Sequence, residues 1–212
     1  MADHHKPSNR GLPRRLVLAS GNAHKIRELT SLLAGVCEVQ PQADFFAEEA
    51  HEHGHSFLEN ALIKARFAAE RSGLPALGDD SGLMVAALHD APGIYSGRYA
   101  GEAASDVQNM EKLLYVLRGV PEGHRQARYF CAMAYVRHAY DPTPAVAVAE
   151  LHGEILERPR GDAGHGYDAI FYLPEASCSV AELSERHRLD MGNRGLALKQ
   201  LLGQLQGVSG WA

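Results

Sequence analysis

The chain has 212 residues, 45% of them hydrophobic and 22% charged, which suits one globular domain, or two closely packed lobes, with a core that needs no staples. A net charge of −5 with interspersed signs excludes a broad basic face for nucleic acid, although a small anionic ligand needs only a local cluster. Apolar stretches such as 16–20 and 145–149 are far below the roughly 18 residues of a membrane span and no signal peptide opens the sequence, so a cytoplasmic protein with no membrane partner is expected.

Residues 1–13 are polar, carry Gly11 and Pro13, lack apolar periodicity and are read as a disordered tail. An apolar strand at 15–19 runs into Ser20-Gly21-Asn22 and a helix whose Ile26, Leu29, Leu32 and Leu33 recur at helical spacing. A second helix is expected over 56–72, opened by the capping pair Ser56 and Glu59 and closed by Gly73 and Pro75. A brief strand at 75–77 then delivers Gly78-Asp79-Asp80-Ser81-Gly82, which places the carboxylates on a tight turn before apolar chain at 83–88. A helix at 106–117 and paired strands at 127–137 and 145–153, joined by a turn at 141–144, follow. A loop at 158–165, a strand at 169–173, a helix at 195–205 and a short tail at 207–212 complete the chain. Early alternation of strand and helix with a later hairpin predicts an α/β fold on a mixed sheet.

Three cysteines, Cys37, Cys131 and Cys178, lack C-x-x-C spacing and read as small buried hydrophobes. His5, His51, His53 and His55 hint at metal binding only through composition. More specific is Ser20 to Lys25, where a strand ends in small residues, a helix N-terminus attracts anions and Lys25 adds a full charge; an ordinary N-cap is the alternative. The G-x-x-x-x-G-K-[ST] spacing of a Walker A loop is absent. Adjacent Asp79 and Asp80 are costly unless a cation neutralises them, and hard oxygen donors in small number suit magnesium, against the alternative of a solvated turn. In Gly164-His165-Gly166-Tyr167-Asp168 a loop presents an imidazole, a phenol and a carboxylate that suit a nucleobase, with a structural turn around a packed tyrosine as competitor. Arg186, Arg188, Asn193 and Arg194 form a cationic cluster before the last helix, either a nucleotide site or a solvated face.

In this order the segments resemble the inosine triphosphate pyrophosphatase family, also described as XTP/dITP diphosphatases or non-canonical purine NTP pyrophosphatases. The resemblance runs from about residue 16 to 205. It rests on Ser20-Gly21-Asn22-x-x-Lys25-x-x-Glu28, Ser56-Phe57-Leu58-Glu59-Asn60-Ala61-x-x-Lys64-Ala65, Asp79-Asp80-Ser81-Gly82-Leu83, Pro92-Gly93-Ile94-Tyr95-Ser96-x-Arg98-Tyr99 and Gly166-Tyr167-Asp168. It implies an elongated mixed β-sheet flanked by helices, two lobes with a nucleotide cleft between them, a single pyrophosphatase domain over 14–206 and a homodimer. The implied reaction hydrolyses ITP, dITP and XTP to monophosphate and pyrophosphate, cleansing the nucleotide pool, with Mg2+ as cofactor and Mn2+ as the alternative. By the same resemblance Ser20, Gly21, Asn22, Ala23, His24, Lys25 and Lys64 hold the triphosphate, Asp80 is the base and metal-linked acid, and Ser81 lines the site. His165, Gly166, Tyr167, Asp168, Arg188, Asn193 and Arg194 would surround the base.

The chain departs from the family pattern at three places. His51-Glu52-His53-Gly54 stands where two acids usually precede the glycine, so Glu52 is the expected second metal ligand; the alternative is His51 on a softer ion such as manganese. Gly192-Asn193-Arg194 replaces Ser-His-Arg, which implies weaker rejection of ATP because the Asn193 amide can offer its oxygen to an adenine amino group. His165 stands where a larger aromatic is frequent. A nucleotide-binding regulator with reduced or lost catalysis is the competing reading.

Overall fold

A computed structural model describes residues 13–207; the tails assigned at 1–13 and 207–212 lie almost wholly outside the described residues. Apolar runs too short for helices pair into a seven-stranded sheet of order β2-β1-β3-β4-β5-β6-β7. The strands are β1 (Arg15–Leu18), β2 (Glu38–Pro41), β3 (Ala76–Val85), β4 (Gln126–Val136), β5 (Ala145–Ile155), β6 (Phe171–Leu173) and β7 (Cys178–Ser179). β1 lies parallel to β2 and β3, and the remaining neighbours are antiparallel. The helices are α1 (Ala23–Leu32), α2 (Phe57–Ser72), α3 (Asp106–Val116), α4 (Glu185–Met191) and α5 (Asn193–Gly207). This is the expected α/β fold on a mixed sheet. No helix among the described residues is long and apolar enough to cross a membrane.

The core divides into three packing regions. On one face Leu16, Leu18, Leu77 and Met133 meet Leu29 of α1 and Ala197, Leu198 and Leu201 of α5. On the other, Val17, Ala76, Ala132 and Ala134 meet Ala61, Ala65 and Ala68 of α2. The far half of the sheet, with Leu83, Val85, Ala127, Ile155 and Phe171, packs against Leu113 and Leu117 from α3 and its C-cap. β3 therefore runs from one half of the molecule into the other, with residues 78–82 at the junction.

This corrects the expected tight turn at 78–82. Asp79, Asp80 and Ser81 sit in the middle of a ten-residue strand paired to β4 along its whole length. Its glycines serve helix approach, not chain reversal: a Cβ on Gly78 would strike Ala61 O and stand 2.8 Å from Ala65 N of α2, and one on Gly82 would stand 2.5 Å from Gly93 O. Three elements were also missed: β2 is only four residues long, β7 only two, and α4, capped by Ser184, carries Arg186 and Arg188 of the segment read as a cationic cluster.

Gly78→Ala is expected to cost about 1–3 kcal/mol because backbone atoms of α2 have to move; urea denaturation monitored by circular dichroism checks this.

Candidate active site

β1 delivers the first segment. Asn22 caps α1, its Oδ1 accepting from the backbone N–H of His24 at 2.9 Å and of Lys25 at 3.2 Å, while Ser20 Oγ accepts from Asn22 N. The carboxamide thus occupies two of the N–H groups that a helix start offers to an anion. A Cβ on Gly21 would collide with the Glu49 carboxylate, so loop and strand end touch there. Lys25 reaches inward and places Nζ 3.0 Å from Asp79 Oδ2.

Strand pleating separates the neighbouring acids. Successive side chains point to opposite faces, so Asp79 and Ser81 share the α1 and α5 side with Leu77, whereas Asp80 shares the α2 side with Ala76 and Gly78. On the first side Arg194 donates through Nε to Asp79 Oδ2 at 3.2 Å and through Nη2 to Ser81 Oγ at 3.0 Å, and pairs through Nη1 with Glu28. Burial pushes the Asp79 carboxyl up, but Lys25, Arg194 and Lys64 outweigh it and hold the group well below the ordinary carboxylate range.

On the second side Asp80 Oδ1 lies 3.1 Å from Lys64 Nζ and Oδ2 accepts from Asn60 Nδ2 at 3.2 Å. Lys64 Nζ is also 3.1 Å from Glu52 Oε1, so one ammonium bridges two carboxylates. Burial raises the Asp80 pKa, and Glu52 adds to the rise against the attraction of Lys64 and Lys25. Lys64 is pulled down by burial and up by Asp80, Asp79 and Glu52, with a net rise.

Glu52 and Asp80 converge on the Lys64 ammonium and offer hard oxygen donors. That set fits magnesium, which takes one or two protein carboxylates and fills its remaining positions with water and phosphate oxygens. Among the described residues no group of three or more His, Cys, Asp or Glu side chains converges to hold a metal alone. In the histidine tract, the His51 and His53 rings stack on each other at 5.8 Å, and His53 Nδ1 lies 2.9 Å from His51 O.

At the far end, Gly164 and Gly166 take φ values of +84° and +60° that other residues rarely adopt. Asp106 of α3 ties the loop down by accepting from Gly166 N at 2.7 Å. Asp168 accepts from His165 N at 2.9 Å and from the Tyr129 hydroxyl at 3.0 Å, and the Tyr167 hydroxyl donates to Ser96 O at 2.9 Å. Tyr167 is 4% and Asp168 8% exposed, so their polar tips are turned into the fold. His165 and Gly166 form the more open part of the loop.

One cleft of about 340 Å³ brings together Ser20, Gly21, Asn22, Lys25, Glu52, Lys64, Asp80, Ser81, His165, Gly166, Tyr167, Asp168, Arg188, Asn193 and Arg194. Ala23 and His24 do not line it; the His24 ring stacks on His165 instead. Glu28 and Asn60 were not assigned from sequence, although both stood inside the motif blocks; Asp79, read with Asp80 as a pair suited to magnesium, instead pairs with Lys25 and Arg194 and does not line the cleft. Asn60 holds two elements at once, since its Oδ1 accepts from Gly54 N at 2.9 Å.

The sheet and this cleft, where lysines, buried carboxylates and an aromatic-bearing loop meet, define an α/β protein built to hold a small polyanion. The chain belongs to the Ham1 family, whose pattern it matches over residues 16–204. It is 50% identical over 193 residues to a dITP/XTP pyrophosphatase of Vibrio parahaemolyticus, covering 91% of this chain and 96% of that one. A dITP/XTP pyrophosphatase of Vibrio vulnificus is also 50% identical, over 194 residues, covering 91% and 97%. Among solved structures, a HAM1 protein from Coxiella burnetii superposes with a TM-score of 0.85 at 41% identity, covering 92% of this chain and all of that one.

The two adjacent acids should respond oppositely to isosteric neutralisation. Asp79, whose pKa is depressed, contributes stability that is present above the ordinary carboxylate value of 3.8 and lost as pH falls below it. Asp79→Asn is expected to lose about 3–5 kcal/mol at neutral pH. Asp80, whose pKa is raised, is an ionised group buried at a cost, and Asp80→Asn should raise the thermal midpoint. Calorimetry of both variants at pH 7 checks the pair of signs.

Proposed function

We propose that this chain hydrolyses the triphosphates of inosine, deoxyinosine and xanthosine to the monophosphate and pyrophosphate. The observation that carries the reading is Asp80: a buried carboxylate with a raised pKa, braced by Asn60 and Lys64, beside Glu52 and in the same cleft as the His165 loop. Relatives at 50% identity bear the name dITP/XTP pyrophosphatase, which supports the same substrate class here.

Asp80 accepts the proton of the water that attacks the α-phosphorus, and its raised pKa brings it nearer the working pH of a general base. Lys25 and Lys64 draw the charge that builds on the departing pyrophosphate. Glu52 and Asp80 would hold Mg2+, with Mn2+ as the alternative, and a bound ion supplies charge neutralisation at the phosphates. Arg194 only donates and keeps N–H groups beyond those on Asp79, Ser81 and Glu28, which suits the 6-oxo group of hypoxanthine and xanthine. The Asn193 amide presents either a donor or an acceptor. Preference for 6-oxo purines is therefore retained while rejection of ATP is weakened.

Pyrophosphate release from ITP, XTP and ATP with magnesium is the test. The kcat/KM values should fall in the order 6-oxo purines above ATP, and a larger value for ATP overturns the substrate assignment. Asp80→Asn should lower kcat by about 10²–10⁴-fold while nucleotide binding persists; unchanged turnover would remove Asp80 from the chemistry. Glu52→Gln should raise the magnesium concentration needed for half-maximal rate, which an effect-free variant would contradict.

A further inference from the structure

His165 lines the cleft, and its ring lies nearly parallel to that of His24, with centroids 4.7 Å apart and 19° between the planes. The two residues come from different parts of the site. His24 stands in the first turn of α1, next to Lys25, whereas His165 stands on the glycine-flanked loop tied to α3. His24 is exposed and does not line the cleft, so it covers His165 from the outside.

Both members of the stack are held. The His24 backbone N–H is fixed by Asn22 Oδ1, and Arg27 Nη2 lies 2.8 Å from His24 Nδ1. A guanidinium only donates, so this nitrogen accepts, the ring proton sits on Nε2 and His24 is neutral. Burial, His165 and Arg27 also lower the His24 pKa, against the raising pull of Asp106 and Glu28. His165 is anchored through its N–H to Asp168 Oδ2, with Nδ1 3.8 Å from the same oxygen. A neutral ring packs against it without like-charge repulsion.

We propose that His24 is a positioning residue for nucleobase recognition, stacked on the outer side of His165 so that this small ring stands as a fixed platform for the purine. The proposal deepens the pyrophosphatase reading and rests on it for the identity of the ligand. An imidazole has less face than a phenyl or indole ring and, alone on a loop, loses rotamer freedom when a base docks on it. A second ring behind it removes that freedom before the ligand arrives, an advantage of roughly three- to tenfold in binding. The stack also links the helix that carries Lys25 to the loop that meets the base.

The test measures binding of IMP and of inorganic tripolyphosphate by titration calorimetry, alongside ITP turnover. His24→Ala should weaken IMP binding and raise the KM for ITP roughly three- to tenfold, with kcat and tripolyphosphate affinity little changed. His24→Phe should restore IMP affinity, because the role needs a flat ring and not a titrating nitrogen. Equal losses for IMP and tripolyphosphate would make His24 a phosphate ligand and overturn the proposal. So would an unchanged IMP affinity in His24→Ala, or a failure of His24→Phe to rescue. Because the two affinities are measured without turnover, they remain decisive even if ITP is not hydrolysed, an outcome that would defeat the pyrophosphatase reading alone.

Discussion

Two carboxylates side by side in the middle of a buried strand would repel and unfold the site were they to share an environment. The pleat of β3 prevents this by sending Asp79 and Asp80 to opposite faces of the sheet, where different helices meet them. Asp79 faces Lys25 of α1 and Arg194 of α5, and Asp80 faces Asn60 and Lys64 of α2. The same alternation gives the pair different characters: one is an overcompensated anion that holds helices to the sheet, the other an undercompensated one whose burial raises its pKa. Stability and the proposed chemistry are thereby allotted to consecutive residues.

The helices reach those acids only because the sheet lets them come close. Gly78 admits the backbone of α2 at Ala61 and Ala65, and the small interior face of that helix, with Ala61, Ala65 and Ala68, packs on Ala76, Ala132 and Ala134. Lys64 and Asn60 are carried on the same helix, so its distance from the sheet sets their distance from Asp80. At the other end the loop is fixed by its own buried members. Tyr167 and Asp168 are bound to Ser96 and Tyr129, leaving His165 and Gly166 as the more open part of the loop.

Much of this was legible in the sequence where local signals and packing agree. β1, the Asn22-capped start of α1, the Ser56-capped α2 and the long hairpin of β4 and β5 fall close to their expected bounds. Legibility failed at β3, where glycine, aspartate and serine look like turn chemistry but are selected by contact with α2 and with the residues around Gly93. It failed at α4, whose seven residues are too few to show a period. The partners of site residues were equally hidden, since Asn60 and Asp80 are 20 positions apart, Tyr129 and Asp168 39, Tyr167 and Ser96 71, and Glu28 and Arg194 166. Residue type announced that these side chains needed partners, and only the fold chose them.

The continuity of β3 and β4 through both halves of the molecule has a mechanical side. Two halves joined by a flexible linker can swing apart at little cost, but these are joined by strands paired in register from Ala76 with Val136 to Val85 with Ala127. Parting them means twisting a hydrogen-bonded ribbon, a stiff deformation that spreads over many residues and permits only small amplitudes. The relative positions of the cleft residues carried on these strands, Asp80 and Ser81 on β3 and Tyr129 on β4, are thus largely set before any ligand enters, and a ligand meets a frame that the sheet has already fixed.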